Sequence, residues 1–332
     1  MNAPTISVVV PIYNEEAGLE ALFARLYPAL DGLGEGYELI LIDDGSRDHS
    51  ARMLRQQFDR RADVTRIILL AANFGQHMAI RAGFDLARGK LVITMDADLQ
   101  NPPEEIPRLV AKWREGYDYV GSYRRNRHDS WFRKYASRVN NRLRERITDI
   151  SMTDQGCMLR AYGRNVVDAV THSPEVSTFI PALAYLYARN PVEIEVAHER
   201  RATGATKYSL YKLLELNFDL VTGFSVLPLR IFSLLGMAVA ALSVILYLVV
   251  MFVRAFEGAS LPNILWDRDI LQFFLIGMVL FGLGLVGQYV GRIHEQVRGR
   301  PRYIVQAVLE SDSSKVWDQS GQQKPSSSPT TT

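Results

Sequence analysis

The sequence predicts an α/β protein whose mainly parallel sheet carries helices on both faces, followed by amphipathic interface helices and a two-helix transmembrane hairpin. Three observations lead there. Short β-favouring runs alternate with helical stretches through the first 120 or so positions, the pattern of βαβ units. Four of those runs are followed by polar segments, where ligands gather in open α/β sheets. Two later runs, Ile231 to Val253 and Ile270 to Val290, carry no formal charge and reach the roughly 20 apolar residues that span a bilayer.

Ile6 to Pro11, Tyr37 to Ile42, Thr65 to Leu70, Leu91 to Met95 and Tyr117 to Val120 read as buried strands, because each is a short apolar run bounded by turn residues. Glu15 to Leu30, Ser50 to Arg61, Gln76 to Ala87 and Pro103 to Glu115 read as the helices between them. The polar segments after the strands are Pro11 to Glu15, Asp43 to Ser46, Asn73 to His77 and Asp96 to Gln100. The last is the most informative. Residues i and i+2 of an extended segment share a face, so Asp96 and Asp98 can address one object, and two close carboxylates tolerate each other best around a cation. Hard oxygen donors of this kind suit Mg²⁺ or Mn²⁺ held together with substrate phosphates. The alternative is a surface turn with two solvated acids, just as Ser46 or Asp48 can be read as a helix cap.

The 332 residues allow about two domains, and a hydrophobic fraction of 48% suits a partly membrane-embedded chain. A net charge of +2 gives no ground for general affinity for nucleic acid or other polyanions. The one cysteine, Cys157, excludes an intramolecular disulfide and is compatible with a reducing compartment. No basic stretch followed by an apolar one precedes Ile6, so the α/β part is expected in the cytoplasm. The connector from Arg254 to Asp269 carries two Arg against Glu257, Asp267 and Asp269, whereas Lys207, Lys212 and Arg230 flank one run and Arg292, Arg298, Arg300 and Arg302 the other. The positive-inside rule therefore places both termini on the cytoplasmic side. Trp131, Tyr135, Val139, Leu143 and Ile147 recur every four residues behind a basic stretch, as in a helix lying on a membrane. The expected units are 1–206 (α/β, with that helix at about 130–147), 207–229 (amphipathic), 230–305 (hairpin and basic flank) and 311–332 (a disordered tail rich in Ser, Gln, Pro and Thr).

Pro11-Ile12-Tyr13-Asn14-Glu15, Asp43-Asp44-Gly45-Ser46 and Asp96-Ala97-Asp98-Leu99-Gln100, in that order and spacing, resemble family 2 glycosyltransferases of the GT-A, Rossmann-like fold. With the two spans, the chain from about residue 5 to 305 resembles the polyisoprenyl-phosphate branch of that family. Asn73 to His77, Asn101 to Pro107, Asp129 to Lys134 and Asp154 to Tyr162 narrow the likeness to enzymes of lipid A modification and polymyxin resistance in Gram-negative bacteria. The resemblance implies inverting transfer of 4-deoxy-4-formamido-L-arabinose from a UDP donor to undecaprenyl phosphate. It implies that Pro11, Tyr13, Glu15, Asp43, Asn73 and Asp96 bind the donor, Asp43 through the uracil N–H, and that Asp96, Asp98 and Gln100 serve Mg²⁺ or Mn²⁺. Asp154 stands where the wider family carries an acid proposed as a base. Its role stays open, because a lipid phosphate is already largely dianionic at pH 7 and needs no strong base.

Arg124, Arg127, Arg133 and Lys134 are candidates for the acceptor phosphate, as are Arg201 and Lys207, which also count with Asp154 as catalytic candidates. Arg201-Ala202-Thr203-Gly204-Ala205-Thr206-Lys207 matches the family pattern Arg-x-x-Gly-x-Ser-Lys, except that Ala205 replaces the usual acid and Thr206 the serine. His77 reads as a structural or pocket residue and Cys157 as packing. The resemblance further implies a bacterial inner-membrane location and a homo-oligomer, a tetramer in relatives. Three other readings remain: another nucleotide sugar on the same lipid phosphate, a processive polysaccharide synthase, which the missing Gln-x-x-Arg-Trp motif disfavours, and a non-catalytic nucleotide-sugar-binding membrane module.

Overall fold

The computed structural model describes residues 4–124, 152–154, 156–173, 179–199 and 301–311, together with 229, 232–239, 241, 242, 245, 249, 252 and 264–299. These fall into two compact units. The first holds an eight-stranded sheet and the second the long helix. In chain order the sheet unit runs β1 (Ile6–Ile12), α1 (Leu19–Asp31), β2 (Tyr37–Asp43), α2 (Ser50–Arg60), β3 (Thr65–Leu70), α3 (Gln76–Leu86), β4 (Leu91–Thr94), a 3₁₀ turn (Pro103–Glu105) and α4 (Ile106–Arg114). It continues with β5 (Tyr119–Arg124), β6 (Arg160–Gly163), α5 (Arg164–His172), α6 (Ile180–Tyr187), β7 (Pro191–Val196) and β8 (Val305–Leu309).

The strand order is β7-β5-β6-β4-β1-β2-β3-β8. β1, β2, β3 and β4 pair in parallel, whereas β6 runs antiparallel to both β4 and β5, and β8 antiparallel to β3. β5 and β7 pair in parallel, so the sheet is mainly parallel as expected, and it is mixed only through the two reversed strands β6 and β8. The central strands are apolar along their length because both faces are covered: Ile6, Val8, Val9 and Val10, and Leu39 to Ile42, are fully buried. Helix α1 presents Leu19, Leu22, Phe23, Leu26 and Leu30 at helical spacing to this core.

After β3 the chain crosses back to set β4 on the opposite side of β1 from β2. That reversal opens a crevice beyond the carboxyl ends of β1 and β4. Two non-glycine residues in the left-handed region stand there, Asn14 (φ 53°) after β1 and Leu99 (φ 56°) after β4. Such backbone is strained and persists only where neighbouring structure enforces it. Gly45 (φ 67°) is required for two reasons, since a Cβ there would also lie 2.5 Å from the carbonyl carbon of Ala72.

β8 falls beyond both uncharged runs yet belongs to the sheet, so the α/β unit does not end at residue 206. Ala71 N donates to Ile304 O, Tyr303 Oη to Asp85 Oδ2 (2.6 Å) and Arg302 Nη2 to Ser173 O (3.3 Å). The Glu310 carboxylate, 6% exposed, meets Arg66 at 3.0 Å and Arg88 at 2.7 Å, while Arg66 also pairs with the buried Glu38. Replacing Glu310 by alanine withdraws one anion from two guanidiniums. Breaking a buried pair from one side costs about 3 kcal/mol, and a fall of several degrees in the thermal midpoint in detergent is the expected reading. An unchanged midpoint would show that β8 contributes no stability through this cluster.

The second unit contains α7 (Ile264–Arg298), which includes the second uncharged run. Val279, Leu280, Phe281 and Leu283 are exposed on it, and the ring of Phe232, among the helical residues 232–239, lies tilted against that of Phe281 at 5.6 Å. Among the described residues no helix is long and apolar enough to cross a membrane. Ten positions of the first uncharged run, several side chains of the second, the segments at 130–147 and 207–228, and residues 312–332 lie outside the described residues.

Candidate functional site

The loops after β1 and β2 are laced into one surface. Asn14 N donates to Ser46 Oγ (3.0 Å), Glu15 N to Ser50 Oγ (3.0 Å), Glu16 N to Asp48 Oδ2 (3.2 Å), and Arg47 N to Asn14 Oδ1 (2.8 Å). Ser46 and Asp48 therefore join two strand ends, and Asp48 Oδ1 also accepts the N–H of Ser50 at the start of α2. Pro11 lies within β1 and Tyr13 is exposed beyond it.

Asp43 ends β2 level with Ile12 of β1 and is 4% exposed. Its Oδ2 accepts Ser46 N (3.3 Å), whereas the buried Oδ1 has no partner among the described residues. Burial pushes its carboxyl above the usual range. An acceptor oxygen left unpaired in a buried site is costly, so the position suits a ligand N–H donor. The neighbouring Asp44 is structural: Oδ1 accepts Phe74 N (2.8 Å), and Oδ2 accepts Gly75 N (2.9 Å) and the Asn73 amide (3.0 Å). Asn73 thus fastens the turn that enters α3.

Asp96 and Asp98 follow β4 and are both part-exposed at the crevice. Burial and then the Asp98 carboxylate push the Asp96 carboxyl up to about 7. Asp98 Oδ1 accepts Gln100 N (3.1 Å), and Gln76, the first residue of α3, donates its amide to Asp96 Oδ1. A carboxyl that burial and then a neighbouring carboxylate keep from ionising is a group whose charge a divalent cation would stabilise, and the hard oxygens of the pair fit Mg²⁺ or Mn²⁺ with phosphate oxygens completing the shell. Among the described residues no cluster of three metal-ligating side chains occurs.

A second constellation lies where β5 ends. The Arg124 guanidinium grips Asp154 with both arms, Nε to Oδ2 at 2.5 Å and Nη2 to Oδ1 at 3.0 Å, and Gly156 N adds a third donor to Oδ1 (3.0 Å). Asp154 is 4% exposed. With its oxygens so engaged, the carboxylate is arranged to hold Arg124 in place.

Residues 7–171 match glycosyl transferase family 2. Over 312 residues the chain is 47% identical to the undecaprenyl-phosphate 4-deoxy-4-formamido-L-arabinose transferase of Aeromonas hydrophila subsp. hydrophila, covering 92% of this chain and 94% of that one. The chain belongs to glycosyl transferase family 2. Among solved structures, the Mycobacterium tuberculosis glucosyl-3-phosphoglycerate synthase with Mg²⁺ and uridine diphosphate shows 20% identity and a TM-score of 0.48, over 66% of this chain and 78% of that one. The S. aureus TarS 1–349 structure with UDP shows 14% identity and a TM-score of 0.42, over 66% and 64%.

In this glycosyltransferase the structure brings Asp43, Asp96, Asp98 and Gln100 to strand ends of one sheet and pairs Arg124 with Asp154. Arg127, Arg133, Lys134, Arg201 and Lys207 lie outside the described residues. Gln76 is a site residue that the sequence marks only by its place at the start of a helical stretch behind a strand. Glu199 N donates to Gln100 O (2.9 Å), and Arg25 grips both Glu104 and Glu199, so the chain after β7 is moored beside the Asp96 loop.

Among the described residues His77 belongs to no metal-ligating cluster; it is a half-buried ring edge-on to Phe179 at 5.2 Å. Burial, with Arg160 adding to it, pulls its pKa down to about 4. The unfolded ring, near 6.5, therefore binds more protons between pH 6.5 and 4. Stability is complete above about 6.5 and is lost as pH falls towards 4, by about 3 kcal/mol in all. Thermal midpoints between pH 7.5 and 5 should fall for the parent and fall less for His77→Leu; parallel curves would contradict the assignment.

Proposed function

We propose that this glycosyltransferase moves 4-deoxy-4-formamido-L-arabinose from UDP to undecaprenyl phosphate at the bacterial inner membrane, with inversion, in lipid A modification. The observation that carries the nucleotide-sugar part is the set of strand-end acids: a buried Asp43 oxygen with no partner among the described residues at one strand end and the Asp96–Asp98 pair at another. The 47% identity, extending along nearly all of both chains, supports the particular sugar and acceptor.

On this reading Asp43 accepts the uracil N–H within the surface formed by Pro11 to Glu15. Asp96, Asp98 and Gln100 would hold Mg²⁺ or Mn²⁺, which neutralises charge growing on the departing UDP. The lipid phosphate attacks the anomeric carbon as a dianion, so the protein's task on that side is to position it. Asp154 fixes Arg124 for that work. Glu199 is moored to Gln100, and Arg201 follows it by two positions in the sequence. Arg201, and with it Lys207, is accordingly assigned to the phosphates, with Arg127, Arg133 and Lys134 on the acceptor side.

The two uncharged runs are assigned to a transmembrane hairpin with both ends cytoplasmic, and 130–147 and 207–229 to interface helices. The apolar side chains exposed on α7 support this, since water would leave them without a partner surface. Gly282, whose absent side chain admits the Phe232 ring, provides the close approach by which membrane helices pack.

Purified protein in detergent, given Mg²⁺ or Mn²⁺, undecaprenyl phosphate and UDP-4-deoxy-4-formamido-L-arabinose, should release UDP and form the lipid-linked sugar. Faster turnover with UDP-glucose would overturn the sugar assignment. No turnover with any UDP-sugar would favour a binding module.

A further inference from the structure

Arg160, the first residue of β6, is completely buried, yet all its hydrogen bonds among the described residues go to neutral oxygens. Nε donates to Cys157 O (2.7 Å), Nη2 to Asp154 O (2.5 Å), and Nη1 to the Tyr119 hydroxyl. A buried cation without an anionic partner is costly to keep. The planar guanidinium fork offers what no apolar side chain could: it reaches two carbonyls three residues apart and ties Asp154 to Cys157. Asp154 in turn carries the carboxylate whose oxygens hold Arg124. The fit is tight: a Cβ on Gly156 would lie 3.0 Å from Arg124 Nη2, and one on Gly121 would lie 3.4 Å from Arg160 Nη1.

We propose that Arg160 is a positioning residue for the transfer reaction, acting through its bonds to Asp154 O and Cys157 O to set the Asp154–Arg124 pair, with Tyr119 holding the guanidinium in register. This rests on the reading of that pair as acceptor-side machinery. The consequence is a split between functions. Asp43, Asp96 and Asp98 make none of these bonds, and Asp96 feels only the charge of Arg124, so donor binding should depend on Arg160 far less than turnover does.

The test uses full-length protein in detergent, with turnover from UDP release and donor-site occupancy from UDP binding in the presence of Mn²⁺. Tyr119→Phe removes one hydroxyl and should lower kcat about tenfold; Arg160→Lys keeps the charge but loses the fork and should lower it about a hundredfold. UDP affinity should stay within about twofold for both. In an Asp154→Ala background Tyr119→Phe should have no further effect on kcat, because both act through one device. If Arg160→Lys does not fold, Tyr119→Phe and its combination with Asp154→Ala decide alone. Parent kcat in folded Tyr119→Phe, or fully multiplicative losses in the double variant, would overturn the proposal. Parent activity in Asp154→Ala would instead remove the reading on which it rests.

Discussion

Asp98→Ala is expected to lower kcat/KM about 10³-fold or more while leaving the protein folded. The argument is electrostatic. A donor aimed at developing charge is worth roughly 10²–10³ in rate, and Asp98 is expected to anchor the cation that meets the diphosphate charge. The same carboxylate raises the neighbouring Asp96 carboxyl, so its removal relieves a repulsion present in the empty protein. The thermal midpoint without metal should therefore hold or rise, and the gain in midpoint on adding Mn²⁺ and UDP should disappear. UDP-release kinetics and melting curves with and without Mn²⁺ check both halves. A variant with near-normal turnover would show that Asp98 holds no metal, and one that melts far lower would make it a structural residue.

Asp154→Ala is expected to be almost as severe, with a different signature. It leaves Arg124 and Gly156 N without their acceptor in a nearly buried place, so stability should drop by about 3 kcal/mol and kcat by at least about 10²-fold. Arg124→Ala should produce the same loss of kcat. The double variant should be little worse than either, because the two side chains act as one unit. Rates and midpoints for the three variants form the cycle. Additive losses would mean that the carboxylate and the guanidinium work separately, as they would if Asp154 were a base and Arg124 a distant phosphate contact.

Much of the sheet could be read from residues alone because β1 to β4 are buried on both faces and write themselves as unbroken apolar runs. The later strands lack that signature. β6 is four residues long and starts with a charge, β7 alternates glutamates with apolar residues, and β8 is a short edge strand whose partner, β3, lies far back in the sequence. The strand-end acids were equally legible, since an apolar run that stops at a carboxylate is a local event. Asp43 and Asp44 show the limit. Adjacent and chemically identical, they divide into a waiting acceptor and a loop fastener only through Ser46, Phe74 and Gly75. Gln76 and Arg160 escaped for the same reason, because their partners are set by packing and not by spacing.

The position of β8 has a consequence for how the chain is made. The β3 edge emerges early, but the strand that covers it arrives only after both uncharged runs have been synthesised. At on the order of 10 residues per second, the nascent sheet presents bare backbone donors and acceptors for about 20 seconds. Arg66 waits in that interval for Glu310. A ribosome that stops before Val305 leaves an open sheet with every crevice carboxylate already in place, a product liable to pair edge to edge with its neighbours.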